Sequence, residues 1–430
     1  MALLSILLYL RCQTRTAFSR SLATIMKKTT FILIIEIIFI SNLFSQEKTD
    51  IDFIKENTFY FDIKESSPIG EGFDILKKEI VNAQFVILGE EHFSAKVSEF
   101  TNSIVPTLTE NEFKYFAAEI GPNSADKISR LIKNKKSLYD FNTEVNDLVG
   151  EVPVPFFDGK EDEVFLKSFL KKDFKIWGLD QEYLTSQVFL IDRLFQLSNK
   201  SEKIEPSYLT AKEFVISETK KGRQDQKYKV FTSLLNSSEI NHYFEKLDKD
   251  NKETNKIISD LKKSWEVYQL REDNDLYGSI HKRLNIMQEN FINYYNAALQ
   301  TESLPKVFLK IGGVHASKGK SHLNIYDIGN FMMELANYNK RKSIHILIFP
   351  SAYKNNDGTI SKNIEKEDEE LFNPVIDFDS NKWTLIDLKS IEKSSWKQKI
   401  ESKSLKDYMY RFDYLILTPA SKQTELNYKK

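Results

Sequence analysis

The sequence predicts an α/β fold with a mainly parallel central sheet flanked by helices and a helical insertion in mid-chain. Three observations carry that expectation. After residue 50, short apolar runs rich in β-branched and aromatic residues alternate with stretches at helical spacing, the order of an α/β domain. Two of these runs, 85–88 and 307–311, lead straight into Gly-x-x-His, and a third, 115–118, ends in Glu119. Between them, residues 185–300 are helical in pattern and heavily charged, too long for a simple crossover.

The elements follow in order. Residues 75–83 read as a helix leading into the strand 85–88, and 94–108 as the helix after it. The strand 115–119 is followed by a helix over 124–133, with Ile128, Leu131 and Ile132 at helical spacing. Phe174-Lys175-Ile176-Trp177-Gly178-Leu179-Asp180 is the next strand, with Asp180 and Glu182 at its end. In the insertion, Val188, Ile191, Leu194 and Phe195 form an apolar stripe that reads as core. The sheet resumes at 307–311, and the strand 343–350 is closed by Pro350. Residues 383–387 and 413–418 read as the last strands, and 355–370 as a polar surface loop. The expected division is a leader over 1–46, an α/β portion over 47–184, the insertion over 185–300, and a second α/β portion over 301–430.

Composition narrows the function. The chain has 430 residues, 41% of them apolar, with 31 Phe and 19 Tyr, enough for a sizeable core. Its net charge of −1 gives no electrostatic reason to bind nucleic acid or an acidic membrane. Met26-Lys27-Lys28, the apolar stretch 31–44 and Ser45 have the order of a signal peptide. The apolar stretch is short for a membrane span, so the mature chain is expected to be exported, periplasmic or secreted, without stable membrane insertion. Residues 1–25 then lie upstream of a complete leader, as from a start assigned too early, with a membrane anchor as the alternative. The single cysteine, Cys12, falls in that segment. A mature chain without thiols has no disulfide, Cys-ligated metal or Cys nucleophile. A small-molecule substrate is the expected partner.

The Gly-x-x-His spacing is not selective by itself, because four of the six histidines have Gly three residues earlier: His92, His281, His315 and His322. Context separates them. His281 lies in a charged helical stretch and His322 in the loop after His315, whereas His92 and His315 directly follow strands. Ligands of open α/β sheets bind beyond the carboxyl ends of the strands. Glu90, His92, Glu119 and His315 are therefore expected to meet at one rim. Two imidazoles with carboxylates suit either water activation or a divalent metal such as zinc or manganese.

These residues resemble the superfamily that groups the erythromycin esterases, the ChaN-type haem-uptake proteins, and the TraB and Tiki proteins. Its shared pattern of two Gly-x-x-His motifs and a strand-borne Glu matches Gly89 to His92, Gly312 to His315, and Glu119. The esterase-like branch is nearest. Its Arg-x-x-x-Met-x-x-Asn helix is matched by Arg283, Met287 and Asn290, and its Gly-hydrophobic-Asp strand by Gly178-Leu179-Asp180. Esterase members place the Glu three residues before the first His, where here Glu90 lies two before His92. They often carry Asn where here Gly313 stands. Macrolide specificity is therefore not implied. The resemblance implies a hydrolase with His92 as general base. Glu90 or Glu119 orients it or positions the water, His315 is the second acid or an oxyanion stabiliser, and Arg283 supplies positive charge. That reading needs no cofactor. The alternatives it leaves are a Tiki-like metal-dependent protease and a ChaN-type haem- or metal-binding protein. The loop 152–159, with Phe156 and Phe157, is either a wall of the pocket or an anchor in the core.

Overall fold

Nine strands form one twisted sheet whose middle is buried on both faces. The protein is described by a computed structural model over residues 48–430 except 356, 379 and 380. The expected leader and Cys12 lie outside the described residues. The strands are β1 (Thr58–Lys64), β2 (Ser67–Ile69), β3 (Ala83–Glu90), β4 (Tyr115–Ala118), β5 (Lys175–Gly178), β6 (Val307–Gly312), β7 (Lys342–Pro350), β8 (Ala352–Lys354), β9 (Ile360–Lys362), β10 (Trp383–Asp387) and β11 (Tyr414–Thr418). The sheet order is β2-β1-β10-β11-β7-β3-β6-β4-β5, and β8 and β9 pair separately. From β11 to β5 every neighbouring pair is parallel, and antiparallel pairing is confined to the β2, β1 and β10 edge.

Burial on both faces explains the unbroken apolar runs, since each residue of an inner parallel strand meets a helix layer on one side or the other. Val86 and Leu88 of β3 join one apolar cluster, with Phe116 and Phe308. Phe85 and Ile87 join the other, with Ala117 and Leu309. Helices Glu71–Asn82, Ala95–Ser103, Pro122–Lys133 and Lys160–Lys171 cover the first face through Leu76, Val97, Ile128 and Phe165. Helices Leu276–Leu299, Ile328–Tyr338 and Lys403–Arg411 cover the second through Met287, Met332 and Met409. Each fully buried Leu, Ile, Phe or Val contributes about 1.5–3 kcal/mol, and the strands that carry the site run between the two apolar clusters.

Between β5 and β6 the chain is helical, from Gln187–Leu197 through Lys252–Glu272 to Leu276–Leu299. Val188, Leu261 and Trp265 of this stretch belong to the same cluster as one sheet face. Among the described residues no helix is long and apolar enough to cross a membrane.

Three local differences from the sequence reading have physical causes. The helix expected over 94–108 breaks at Ile104 into Ala95–Ser103 and Val105–Glu110, because Pro106 lacks an amide hydrogen and crowds the preceding turn. The loop expected over 355–370 contains β9, which pairs with β8. The strands β1 and β2 at one side of the sheet have no counterpart in the sequence reading. β1 is held by β10, more than three hundred residues away, with Phe61 opposite Trp383.

Candidate active site

β3, β6, β4 and β5 lie side by side and parallel, so their carboxyl ends share one rim. The register pairs Glu90 with Gly312 and Ala118 with Lys310. Glu90, Glu119 and Gly312 therefore end up at nearly one level. The chain leaves β3 for β4 and β5 and returns to insert β6 beside β3. The crevice at this rim is where such sheets take their ligands.

Glu90 and His92 form the first pair. His92 Nδ1 lies 3.0 Å from Glu90 Oε1, and the Lys310 ammonium donates to the same oxygen. Burial would raise the Glu90 pKa, but Lys310 and His92 outweigh it and hold the carboxyl below its usual range. His92 Nε2 faces Glu119 Oε2 at 3.6 Å, too long for a hydrogen bond. Gly312 makes that approach possible: a Cβ there would lie 2.9 Å from His92 Nε2 and 3.2 Å from Glu119 Oε2. Glu91 takes no part. Its oxygens accept from the Tyr353 hydroxyl and the Asn363 amide, each at 2.7 Å.

Glu119 is the hub. Its Oε2 accepts from the Gly312 amide at 2.6 Å and its Oε1 from Arg283 Nη2 at 2.6 Å. Burial again opposes ionisation, but His315, Arg283, His92 and the Gly312 amide hold this carboxyl far below the ordinary carboxylate range. Arg283 also grips Asp180, with Nε to Oδ1 at 2.9 Å and Nη2 to Oδ2 at 2.6 Å. The helix that carries Arg283 is seated by Met287, fully buried, and by Asn290, whose amide donates to the Leu179 carbonyl at 2.9 Å. Positions i, i+4 and i+7 share one helix face, so Arg283 and Asn290 meet the segment after β5 while Met287 between them packs into the core.

His315 forms the second pair. Its Nδ1 lies 2.7 Å from Asp327 Oδ2, and its Nε2 faces Glu119 Oε1 at 3.6 Å. Burial would lower its pKa, but Asp327 and Glu119 prevail and raise it, which favours the imidazolium. Asp327 is fully buried and also caps the helix Ile328–Tyr338, accepting from the Ile328 amide at 2.7 Å.

Two aromatic residues wall His92. Phe156 stacks on the imidazole with centroids 3.8 Å apart, and Phe93 stands edge-on at 6.1 Å. Both take left-handed backbone angles, φ 64° and 65°, a costly choice for a bulky residue and one that concentrates at functional sites. Phe157 instead turns into the core, so the loop both walls the site and is anchored. The segment 421–429 laces the two loops together. The Thr424 amide donates to the Phe93 carbonyl at 2.8 Å, and the Asn427 amide to the Asp158 carbonyl at 2.7 Å. Beside Glu119 and Arg283, a cavity of about 160 Å³ is lined by Phe156, Gln181, Tyr183 and Tyr268.

All five residues expected from sequence, Glu90, His92, Glu119, Arg283 and His315, lie in this one constellation. His281 packs at a tilt against Tyr277, and His322 contacts Arg411; neither joins it. Glu182 accepts from the Asn123 amide and Ser124 hydroxyl at 2.7 and 2.6 Å, at the start of the helix Pro122–Lys133, and burial pushes its pKa up to about 7. Asp327 and Lys310 were missed. Asp327 is legible only as a helix cap, and Lys310 only as the lone charge in an apolar strand.

The donor set does not fit a divalent metal. Both oxygens of Glu119 are already engaged by N–H donors, and the cations Arg283 and Lys310 neutralise the carboxylates that would attract one. Among the described residues no cluster of three or more His, Asp or Glu is arranged to hold a metal ion.

No family model matches the sequence, and no curated protein does. Solved structures match. One is the erythromycin esterase EreC, a mutant in its open conformation. It is 16% identical with a TM-score of 0.51, over 83% of this chain and 95% of that one. The chain has an erythromycin esterase-like fold. A succinoglycan biosynthesis protein is similar at 16% identity and a TM-score of 0.51, covering 89% of this chain and 99% of that one. A Campylobacter jejuni ChaN with cofacial haem matches at 15% identity and a TM-score of 0.32, over 84% of this chain and 98% of that one.

Proposed function

We propose that the protein is a hydrolase of the erythromycin esterase-like type, cleaving an ester or related bond of a small molecule with a water activated by His92. The observation that carries this reading is the Glu90–His92 pair. Nδ1 is anchored on a carboxylate at 3.0 Å, and Nε2 is turned toward Glu119 without bonding it. An ionised Glu90 keeps the proton on Nδ1 and leaves the Nε2 lone pair for catalysis.

In the proposed reaction, water beside Nε2 gives its proton to His92 as its oxygen bonds the carbonyl carbon. The tetrahedral oxyanion is stabilised by the cationic His315 and Arg283. Collapse breaks the carbon–oxygen ester bond, and the leaving alkoxide takes the proton back from His92. Acid and alcohol result, with no covalent enzyme intermediate. Glu119 holds Arg283 by a hydrogen bond and faces both imidazoles at 3.6 Å, so its charge lies between them.

His92→Ala is expected to lower turnover of 4-nitrophenyl acetate by about a hundredfold or more, the scale of a lost general base, with folding intact. Equal turnover by the two proteins would end the reading, and a Soret shift on adding haem would favour the uptake alternative. We also propose that the chain is exported and mature from about residue 46 on its signal-like order; N-terminal sequencing of secreted material tests this.

A further inference from the structure

Lys310 is out of place by every local rule. It sits in the fourth position of β6, where all other residues from Val307 to Ile311 are apolar, and it is buried. Its neighbours across the sheet are Leu88 and Ala118. Its side chain lies on the face of Phe308, with the ammonium 5.2 Å from the Phe165 ring. A lysine here must be desolvated and paired, and an apolar residue of similar volume would fold at least as well. Stability therefore does not account for it.

The ammonium donates to Glu90 Oε1, the oxygen that also takes His92 Nδ1. The titratable groups around it are Glu90 and His92 on the β3 end and, on the helix Lys160–Lys171, Asp162, whose pKa burial pushes up to about 7. Asp162 is held by the Ser98 hydroxyl at 2.6 Å and the Gly159 amide at 3.2 Å. Lys310 is thus the fixed positive charge behind the Glu90–His92 pair.

We propose that Lys310 is a positioning residue that sets the tautomer of His92 through Glu90. Without its charge, a buried Glu90 takes a proton. A protonated Glu90 donates its O–H to Nδ1. The imidazole hydrogen then moves to Nε2, the atom that must accept a proton from water, and the base is blocked. The inference rests on His92 acting as the base, but the tautomer can be read without any turnover.

The test is Lys310→Met, with Lys310→Gln as a second variant that keeps a donor to Glu90 and removes the charge. Nitrogen-15 NMR of histidine-labelled protein reads the tautomer at neutral pH. The wild type is expected to carry its proton on Nδ1 of His92, and both variants on Nε2. With 4-nitrophenyl acetate, kcat is expected to fall at least about tenfold with KM within about twofold. The acid limb of the pH profile is expected to move up by about one pH unit or more, the scale for losing a nearby opposite charge. A merely structural lysine would leave tautomer and limb in place, and that result in a folded variant overturns the proposal. Failure of both variants to fold would make Lys310 structural and overturn it as well. A tautomer change in protein that hydrolyses nothing would uphold the role of Lys310 and reject the esterase reading instead.

Discussion

Replacing Arg283 with Met tests how much of the site's order depends on one guanidinium. Its contacts are to two buried carboxylates: Asp180 through bonds of 2.9, 3.2 and 2.6 Å, and Glu119 through one of 2.6 Å. Methionine fills much of the space but leaves both acids without their shared cation. Removing one partner of a buried ion pair costs about 3–5 kcal/mol. Unfolding entropy near 2.1 cal/mol/K per residue, over the roughly 380 residues of Asp50–Lys430, is about 0.8 kcal/mol/K. The loss therefore corresponds to a fall in Tm of about 4–6 °C. The sign with pH follows from Glu119, whose pKa in the folded chain is depressed. A depressed carboxylate adds stability above its unfolded pKa and loses it as pH falls through the folded value. The gap between wild type and variant should thus be widest near neutrality and narrow below about pH 4. Thermal unfolding at pH 7 and pH 3 measures both. A variant within about 1 kcal/mol of wild type at pH 7, or a gap that widens in acid, would refute the reasoning.

Two further outcomes follow from the same geometry. Asp327→Asn keeps a helix-capping side chain but removes the charge that raises the His315 pKa. A raised histidine adds stability below its unfolded pKa and loses it as pH rises through the folded one, so the variant should lose about 1–3 kcal/mol at pH 6 and less at pH 9, read by urea unfolding. Gly312→Ala places a methyl 2.9 Å from His92 Nε2; turnover should fall about a hundredfold, as for a displaced catalytic group, with circular dichroism unchanged.

The strands that build the site were legible because they are buried on both faces, and continuous apolar runs are what such burial requires. Glu90, His92, Glu119 and His315 follow from their positions at those strand ends. Arg283 came from a resemblance rather than from periodicity, since its partner Asp180 is 103 residues away. What stayed hidden depended on register. Lys310 meets Glu90 only because β6 inserts beside β3, and nothing local says which strands are neighbours. β1 was missed for the same reason: its partner β10 lies near the other end of the described chain. Phe156 was left ambiguous between wall and core, and its backbone conformation, invisible in sequence, is what turns it onto His92.

The lacing of the Phe93 and Phe156 loops by segment 421–429 has a consequence for the order in which the site can be built. Glu90, His92, Glu119, Arg283 and His315 are all synthesised before residue 316, yet the walls around His92 are tied by Thr424 and Asn427. A growing chain can assemble its sheet rim well before it can close the surroundings of His92. Enclosure of His92 therefore waits on residues that carry no chemistry of their own.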